Sequence, residues 1–258
     1  CSLVIFKVVN YELSFDKHHT NFDNIYRVVT EERRPDRTDY GMGVPNPLGP
    51  ALKSEFPQVE LMTRTYYVSS AQINVMDGNE IEEKFLIDDG IVFTEPAFFK
   101  IFDTEWLAGS KDLALTQPNT AVMTVAMMEK LFGLEANEAD RAIGLTIQES
   151  NKLNFESVGV IEDFPTSSSL PFKLLLEYGG QAGSNIYYGD GNRWNSTSSS
   201  TNAYFLAPEN FDKQKIEDQM PAFVEKYKGE GESDEISYRI QPLSEIHYDK
   251  NYESYVNN

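Results

Sequence analysis

Two strand–helix–strand patterns, one near each end, limit what this chain of 258 residues can fold into. At the front, "FDNIYRVVTEER" alternates and is rich in β-branched residues, which predicts a strand near 25–31. "NPLGPALKSEFPQVE" follows as a punctuated helix. Asn46 is placed to cap it, Pro47 suits its first position, and Leu48, Ala51, Leu52 and Phe56 share one face before Pro57 stops it. "ELMTRTYYV" is the next strand. At the back, "NAYFLA" and "ISYRIQPL" read as strands around the helix "NFDKQKIEDQMPAFVEKY", which Pro221 should kink or break.

What lies between is β-rich. "AQINVMDGNEIEEKFLID" is a hairpin turning at Asp77-Gly78. "TEPAFFKIF" is a short helix with Thr94 as cap and Pro96 in its first turn. "TAVMTVAMMEKLFG" is a strand passing into a helix that Gly133 ends. "AIGLTIQ" and "FESVGVIEDF" are two more strands. "RRPDRTDYGMG" reads as a polar loop, and the Gly-, Ser- and Asn-rich "QAGSNIYYGDGNRWNSTSSSTN" as a loop or lobe boundary. Residues 2–25 read as one helical entry, with Leu3, Phe6, Val9 and Leu13 spaced as a single apolar stripe.

The formal net charge of −19 repels phosphate backbones, so nucleic acid is not expected as a partner. With Cys1 the sole cysteine, no internal disulfide can form. A Cys–Ser start is compatible with a lipid-modified end, but "LVIF" follows at once, as at the trailing edge of a hydrophobic segment. No run of apolar residues is long enough to span a bilayer.

Catalytic patterns are missing. His18 and His19 are adjacent, so on a helix they point about 100° apart and on a strand to opposite faces. Neither arrangement chelates one ion well, and no HExxH occurs. GxSxG and GxxxxGK[ST] are absent, and "GMGVPN" breaks GxGxxG at its last position. No catalytic residue, metal or cofactor is therefore expected. Tyr187, Tyr188 and Trp194 could stack on a sugar, although such residues more often close a core.

The stretch "YELSFDKHHTNFDNIYRV" resembles the segment that follows the first transmembrane helix in MacB/FtsX-type ABC transporter permeases, in their extracytoplasmic MacB-like core domain. Glu12, Leu13, Ser14, Asp16, His19, Asn21, Asp23, Ile25, Tyr26, Arg27 and Val28 match that family's usual form; Phe15 replaces a tyrosine. "NPLGPALKSEFPQVELMTR", "FTEPAFFKIFDTEWLAGS", "LTQPNTAVMTVAMMEKLFG", "IGLTI", "VGVIEDFPTSSSLPF" and "LSEIHYD" fit further family blocks in the same order.

The resemblance implies an α+β fold of two lobes: a porter-like lobe from both chain ends and an inserted β-rich, Sabre-like lobe. On that basis residues 1–24 are expected as a membrane-proximal stalk helix, with Leu3, Phe6, Val9 and Leu13 along it. Residues 25–85 and 198–258 would form the porter-like lobe and 86–197 the insert. The junction residues would be Glu12, Asp16, His19, Asn21, Asp23, Tyr26 and Arg27, with His19 a local hydrogen-bonding residue. The implied function is non-catalytic: coupling of cytoplasmic ATP hydrolysis to conformational change at the outer face of the inner membrane. The implied partners are an ABC ATPase, a second permease copy or relative, and a periplasmic adaptor or outer-membrane protein. The competing expectation is a lipid-anchored or secreted binding protein for sugars or peptides, using the 179–202 loop.

Overall fold

In the computed structural model, which describes residues 2–179 and 193–256, the chain opens with α1 (Ser2–Glu12) and a 3₁₀ turn at Phe22–Asn24. The β-branched run then forms β1 (Ile25–Arg33). The segment expected as a polar loop contains a further strand, β2 (Thr38–Gly41), antiparallel to β1 with Thr30 opposite Gly41. Its polar sequence hid it. The pairing is a backbone ladder, and Asp39 is held there by Arg34 and Arg37 rather than by apolar burial. After the short β3 (Val44–Pro45) comes α2 (Leu48–Glu55), whose Leu48 and Leu52 are fully buried. Asn46 does not cap it. Its side-chain oxygen instead accepts from Arg64 Nη1 at 3.0 Å, and Pro47 takes the cap position. β4 (Leu61–Val68) follows.

The chain divides into two units. Unit one comprises Cys1–Arg64, Pro165–Leu170 and Asn192–Asn258; unit two comprises Thr65–Phe164 and Pro171–Gly191. Unit two continues β4 into the hairpin β5 (Ala71–Asp77) and β6 (Glu80–Ile87), with Gly78 at φ +58° in the turn. β7 (Ile91–Thr94) leads to α3 (Phe98–Ile101) and β8 (Trp106–Gly109). Thr94 ends β7 instead of capping α3, which Ala97 precedes. β9 (Thr120–Thr124) runs into α4 (Val125–Phe132), and Gly133 closes that helix in the left-handed conformation at φ +63°. A second 3₁₀ segment (Ala136–Ala142), β10 (Thr146–Glu149), β11 (Leu153–Ile161) and β12 (Leu174–Glu177) complete it. The strand order is β4-β7-β12-β9-β11-β10-β5-β6, with β8 beside β11. β7–β12 and β9–β11 pair parallel. Residues of α4, among them Met127, Met128 and Leu131, cover this sheet and share a core with Ile73, Phe93, Met123, Phe155 and Leu176. Gly159 cannot be replaced here, because a Cβ would sit 2.4 Å from the Trp106 ring.

The sequence expectation drew its first boundary between residues 85 and 86. In the structure the chain leaves unit one after Arg64, because β5 pairs with β10 (Val75 opposite Ile147) and carries β6 with it.

The chain's last part returns to unit one through β13 (Thr197–Ser198), β14 (Thr201–Leu206), α5 (Gln214–Glu217), α6 (Met220–Lys228), α7 (Glu232–Glu235), β15 (Ile236–Pro242) and α8 (Leu243–Ile246). Pro221 breaks the expected helix and sits in the first turn of α6, where its missing N–H has no helical partner to lose. The order β15-β1-β14 is antiparallel throughout, with Arg27 opposite both Gln241 and Tyr204. Side chains of alternate residues leave opposite faces of a strand. Tyr26 and Val28 join Leu48, Leu52, Ile216, Phe223 and Ile240 in the helix-covered core. Ile25, Arg27 and Val29 face the other way and are buried as well.

Candidate functional site

The first helix does not behave like a core element. On α1, Leu3, Val4, Ile5 and Phe6 are 62–67% exposed, and Val8 and Val9 remain about half exposed. The four residues expected as a stripe, Leu3, Phe6, Val9 and Leu13, are 67%, 62%, 46% and 52% exposed. Among the described residues of this chain nothing covers these apolar side chains. The expected continuous stalk to residue 24 is corrected: α1 ends at Glu12. Ser14 explains part of this. Its N–H and its hydroxyl both donate to the Tyr11 carbonyl, at 3.0 and 2.7 Å, which tightens the turn. Asp16 then adopts φ +57°, where a helix cannot continue.

Asp16 is the hub of the joint. It is buried, its N–H donates to the Ser167 carbonyl at 2.8 Å, and its Oδ1 accepts from the Ser169 N–H at 2.8 Å and the Ser168 hydroxyl at 3.3 Å. Burial pushes its pKa up; the Ser169 and Ser168 hydrogen bonds and the nearby His18 oppose that shift. Tyr11 adds a second tie to this segment, donating to the Thr166 carbonyl at 2.8 Å. His19 is buried and hydrogen-bonds locally: its N–H donates to the Asp16 carbonyl at 3.2 Å, and its own carbonyl accepts from Phe22 at 3.1 Å. The His18 and His19 rings lie 3.9 Å apart and tilted, and among the described residues no cluster of three metal-type ligands occurs. Asn21 precedes the 3₁₀ turn without capping it through its side chain. The Asp23 carbonyl accepts from the Tyr26 hydroxyl at 3.4 Å.

Glu12 is held from the far end of the sequence. His247 Nε2 and Glu12 Oε2 lie 2.7 Å apart, and the Tyr248 hydroxyl donates to the Glu12 carbonyl. Phe15 stacks on the His247 ring at 3.4 Å with planes 8° apart. The residues that follow cover the open face of β1. Arg27, fully buried, donates from Nε and Nη2 to Gln241 Oε1 at 3.0 and 2.6 Å, and from Nη2 to the Glu253 carbonyl at 3.0 Å. Gln241 Nε2 donates to Asp249 at 3.1 Å, Tyr252 to Glu31 at 2.8 Å, and Asn202 Nδ2 to the Tyr255 hydroxyl at 2.8 Å. Burial, then the Glu31 hydrogen bond, drives the Tyr252 pKa upward.

The structure thus brings Glu12, Asp16, His19 and Arg27 into one joint within unit one. Asp23 and Tyr26 lie beside it, with Tyr26 turned into the helix-covered core. Sequence reading missed Gln241, His247, Tyr252 and Tyr255 as members. For His247, Tyr252 and Tyr255 the signal was present in "IHYDKNYESYV", an aromatic-rich tail; Gln241, inside the strand "ISYRIQPL", gave none. Of the aromatics considered for sugar stacking, Tyr187 and Tyr188 lie outside the described residues. Trp194 is occupied, stacking on Tyr227 at 4.6 Å and meeting Phe223 edge-on at 5.9 Å. No helix among the described residues is long and apolar enough to cross a membrane.

The family model of the MacB-like periplasmic core domain matches residues 1–223. Comparison with curated proteins yields no match. Among solved structures, the chain is similar to a domain of a permease protein from Porphyromonas gingivalis, with 20% identity and a TM-score of 0.68 over 87% of this chain and 91% of that one. It is also similar to the periplasmic region of MacB from Actinobacillus actinomycetemcomitans, with 13% identity and a TM-score of 0.53 over the same shares. The extracellular domain of the noncanonic ABC-type transporter YknZ from Gram-positive bacteria shows 12% identity and a TM-score of 0.52, over 84% of this chain and all of that one. At these identities the structural likeness carries the fold alone.

Proposed function

The chain belongs to the family of MacB-like periplasmic core domains, the extracytoplasmic domains of ABC-type permeases, and from that membership we propose that it transmits mechanical displacement. An ABC ATPase is the partner that membership implies for the full transporter. In this reading α1 continues the first transmembrane helix, and the chain after Tyr255 leads to the next. Unit one is the porter-like lobe and unit two the Sabre-like insert. ATP-driven motion of the membrane helices moves the domain as a body in a dimer of permeases, for export or signalling, with an adaptor or outer-membrane protein as a further partner. The domain performs no chemistry of its own.

One observation carries the proposal. The entry helix and the returning tail are tied to each other at Glu12, and each is tied to unit one through buried groups, Asp16 for the first and Arg27 for the second. A free linker would dissipate a displacement as chain entropy; a joint with so many ties passes it on. The rigidity expected of one long helix is supplied here by these ties instead.

The test uses the full-length transporter, spin-labelled at exposed Glu230, with the distance between labels of the two permease copies read with and without ATP. Four glycines are inserted between Glu12 and Leu13. Transmission requires that the ATP-dependent distance change collapse while ATPase activity and expression persist. An unchanged distance response would reduce α1 to an anchor.

A further inference from the structure

Unit two ends on an open strand. β6 is the last in its sheet, pairs only with β5 among the described residues, and is exposed over most of its length. Its outer backbone groups are a template for one more strand. Beside it runs an open groove of about 490 Å³, lined by Val75, Met76 and Phe85, by the last turn of α4 with Phe132, and by Leu145. Edge and groove belong together. Glu83 and Phe85 stand opposite Val75 and Ile73, on the face that α4 covers. A strand added to β6 would therefore drop every second side chain into this groove.

The charges define the occupant. Glu82, Glu83 and Glu129 line the groove, Glu80 lies at its end of β6, and none of the four has an ion-pair partner among the described residues. Of the nearby cations, Arg141 is engaged by Glu138, which leaves Lys84 and Lys130. The carbonyl end of α4 adds negative potential at the same place. Ile81 at 39% and Leu86 at 64% exposure supply apolar contact on the strand itself. We infer that β6 and its groove take up an extended segment of a partner protein, lysine- or arginine-bearing at alternate positions, as one further strand of this sheet. Charges on an edge strand also serve to repel partners. They would not need a formed groove behind them.

The inference does not depend on how α1 works, and its test uses the 258-residue chain. The probe is a short, end-blocked, fluorescent peptide that alternates lysine with valine, with binding read by anisotropy. A second peptide has the same sequence with alternate amides N-methylated, so its charge is kept and its strand pairing blocked. The protein arms are Glu82→Lys/Glu83→Lys and, as a charge-matched control in unit one, Glu209→Lys/Glu230→Lys. We expect the plain peptide to bind. The β6 variant should weaken it by at least about tenfold and the control by no more than about twofold. N-methylation should weaken it by at least about tenfold on the unmodified chain. Equal binding of the two peptides, equal loss in both protein variants, or no binding of the plain peptide overturns the proposal.

Discussion

Arg27 and Asp16 are both buried and charged-type residues, and their energetics have opposite signs. Arg27 has three hydrogen bonds, one of them to a carbonyl of the tail. Arg27→Met leaves Gln241 Oε1 and the Glu253 carbonyl without this donor. Unit one should lose about 2–4 kcal/mol, since hydrogen bonds to a charged group are worth about 1.5–3 kcal/mol each and lost desolvation of the guanidinium offsets part. Denaturant unfolding read at Trp194, in a Trp106→Phe background, measures it. Asp16 has its pKa raised by burial, so its ionised form is disfavoured on folding. A carboxyl of this kind contributes fully below its unfolded value of 3.8, and the contribution fades as pH rises through the higher folded value. Asp16→Asn keeps an acceptor for Ser169, tolerates φ +57°, and does not titrate. The variant should match the parent at low pH and gain on it as pH rises from about 4 toward neutrality. A gain that instead appears only on acidification would contradict this origin. The motif showed that Asp16 and Arg27 mattered. It could not show why, because their partners lie 152 and 214 positions away.

At the scale of elements, what was local in cause was readable. Gly78 at the hairpin, Gly133 after α4 and Pro221 between two helices each act through their own backbone. What depended on distant pairing was not. β2 carries no apolar signal, and α1 was read as extending to residue 24 because nothing in "LSFDKHH" announces that Asp16 will turn left-handed onto Ser167. Its stripe was visible, but the same spacing fits a core helix and one facing lipid. The exposure of Ile5 and Phe6 sets the core-helix reading aside, and the proposed transmission role puts these side chains against lipid. Burial in lipid is worth about 1.5–3 kcal/mol per large apolar side chain. Ile5→Asp/Phe6→Asp should therefore lower partitioning of the chain into phosphatidylcholine vesicles by roughly a hundredfold or more. The helix content and unit-one stability should stay as in the parent, since neither side chain packs on the fold. Flotation against a vesicle gradient reads the first, and circular dichroism the second.

At the scale of the molecule, each unit has its own core, and the tail serves only one of them. The second half of unit one cannot be reduced to strand and helix. β1 is buried on both faces, on one by α2, α6 and their neighbours and on the other by the segment from His247 to Tyr255. That segment has no regular structure beyond α8, so its hold rests on side chains: His247 on Glu12, Asp249 on Gln241, Tyr252 on Glu31, Glu253 on Arg27, Tyr255 on Asn202. Ending the chain after Ile246 would uncover Arg27 and Asn202 together and release the end of α1. Amide exchange measures this locally. Protection in β1 and β14 should fall by about a hundredfold or more, as for strands that lose one covering layer. β9 and β11 serve as the internal reference, since their core is made of unit-two residues alone. The turn around Asp16 should also exchange faster, because Phe15 would lose the His247 ring stacked on it. If β1 and β14 kept their protection in the shortened chain, the tail would be a passenger. The transmission proposed here would then have only α1 to run through.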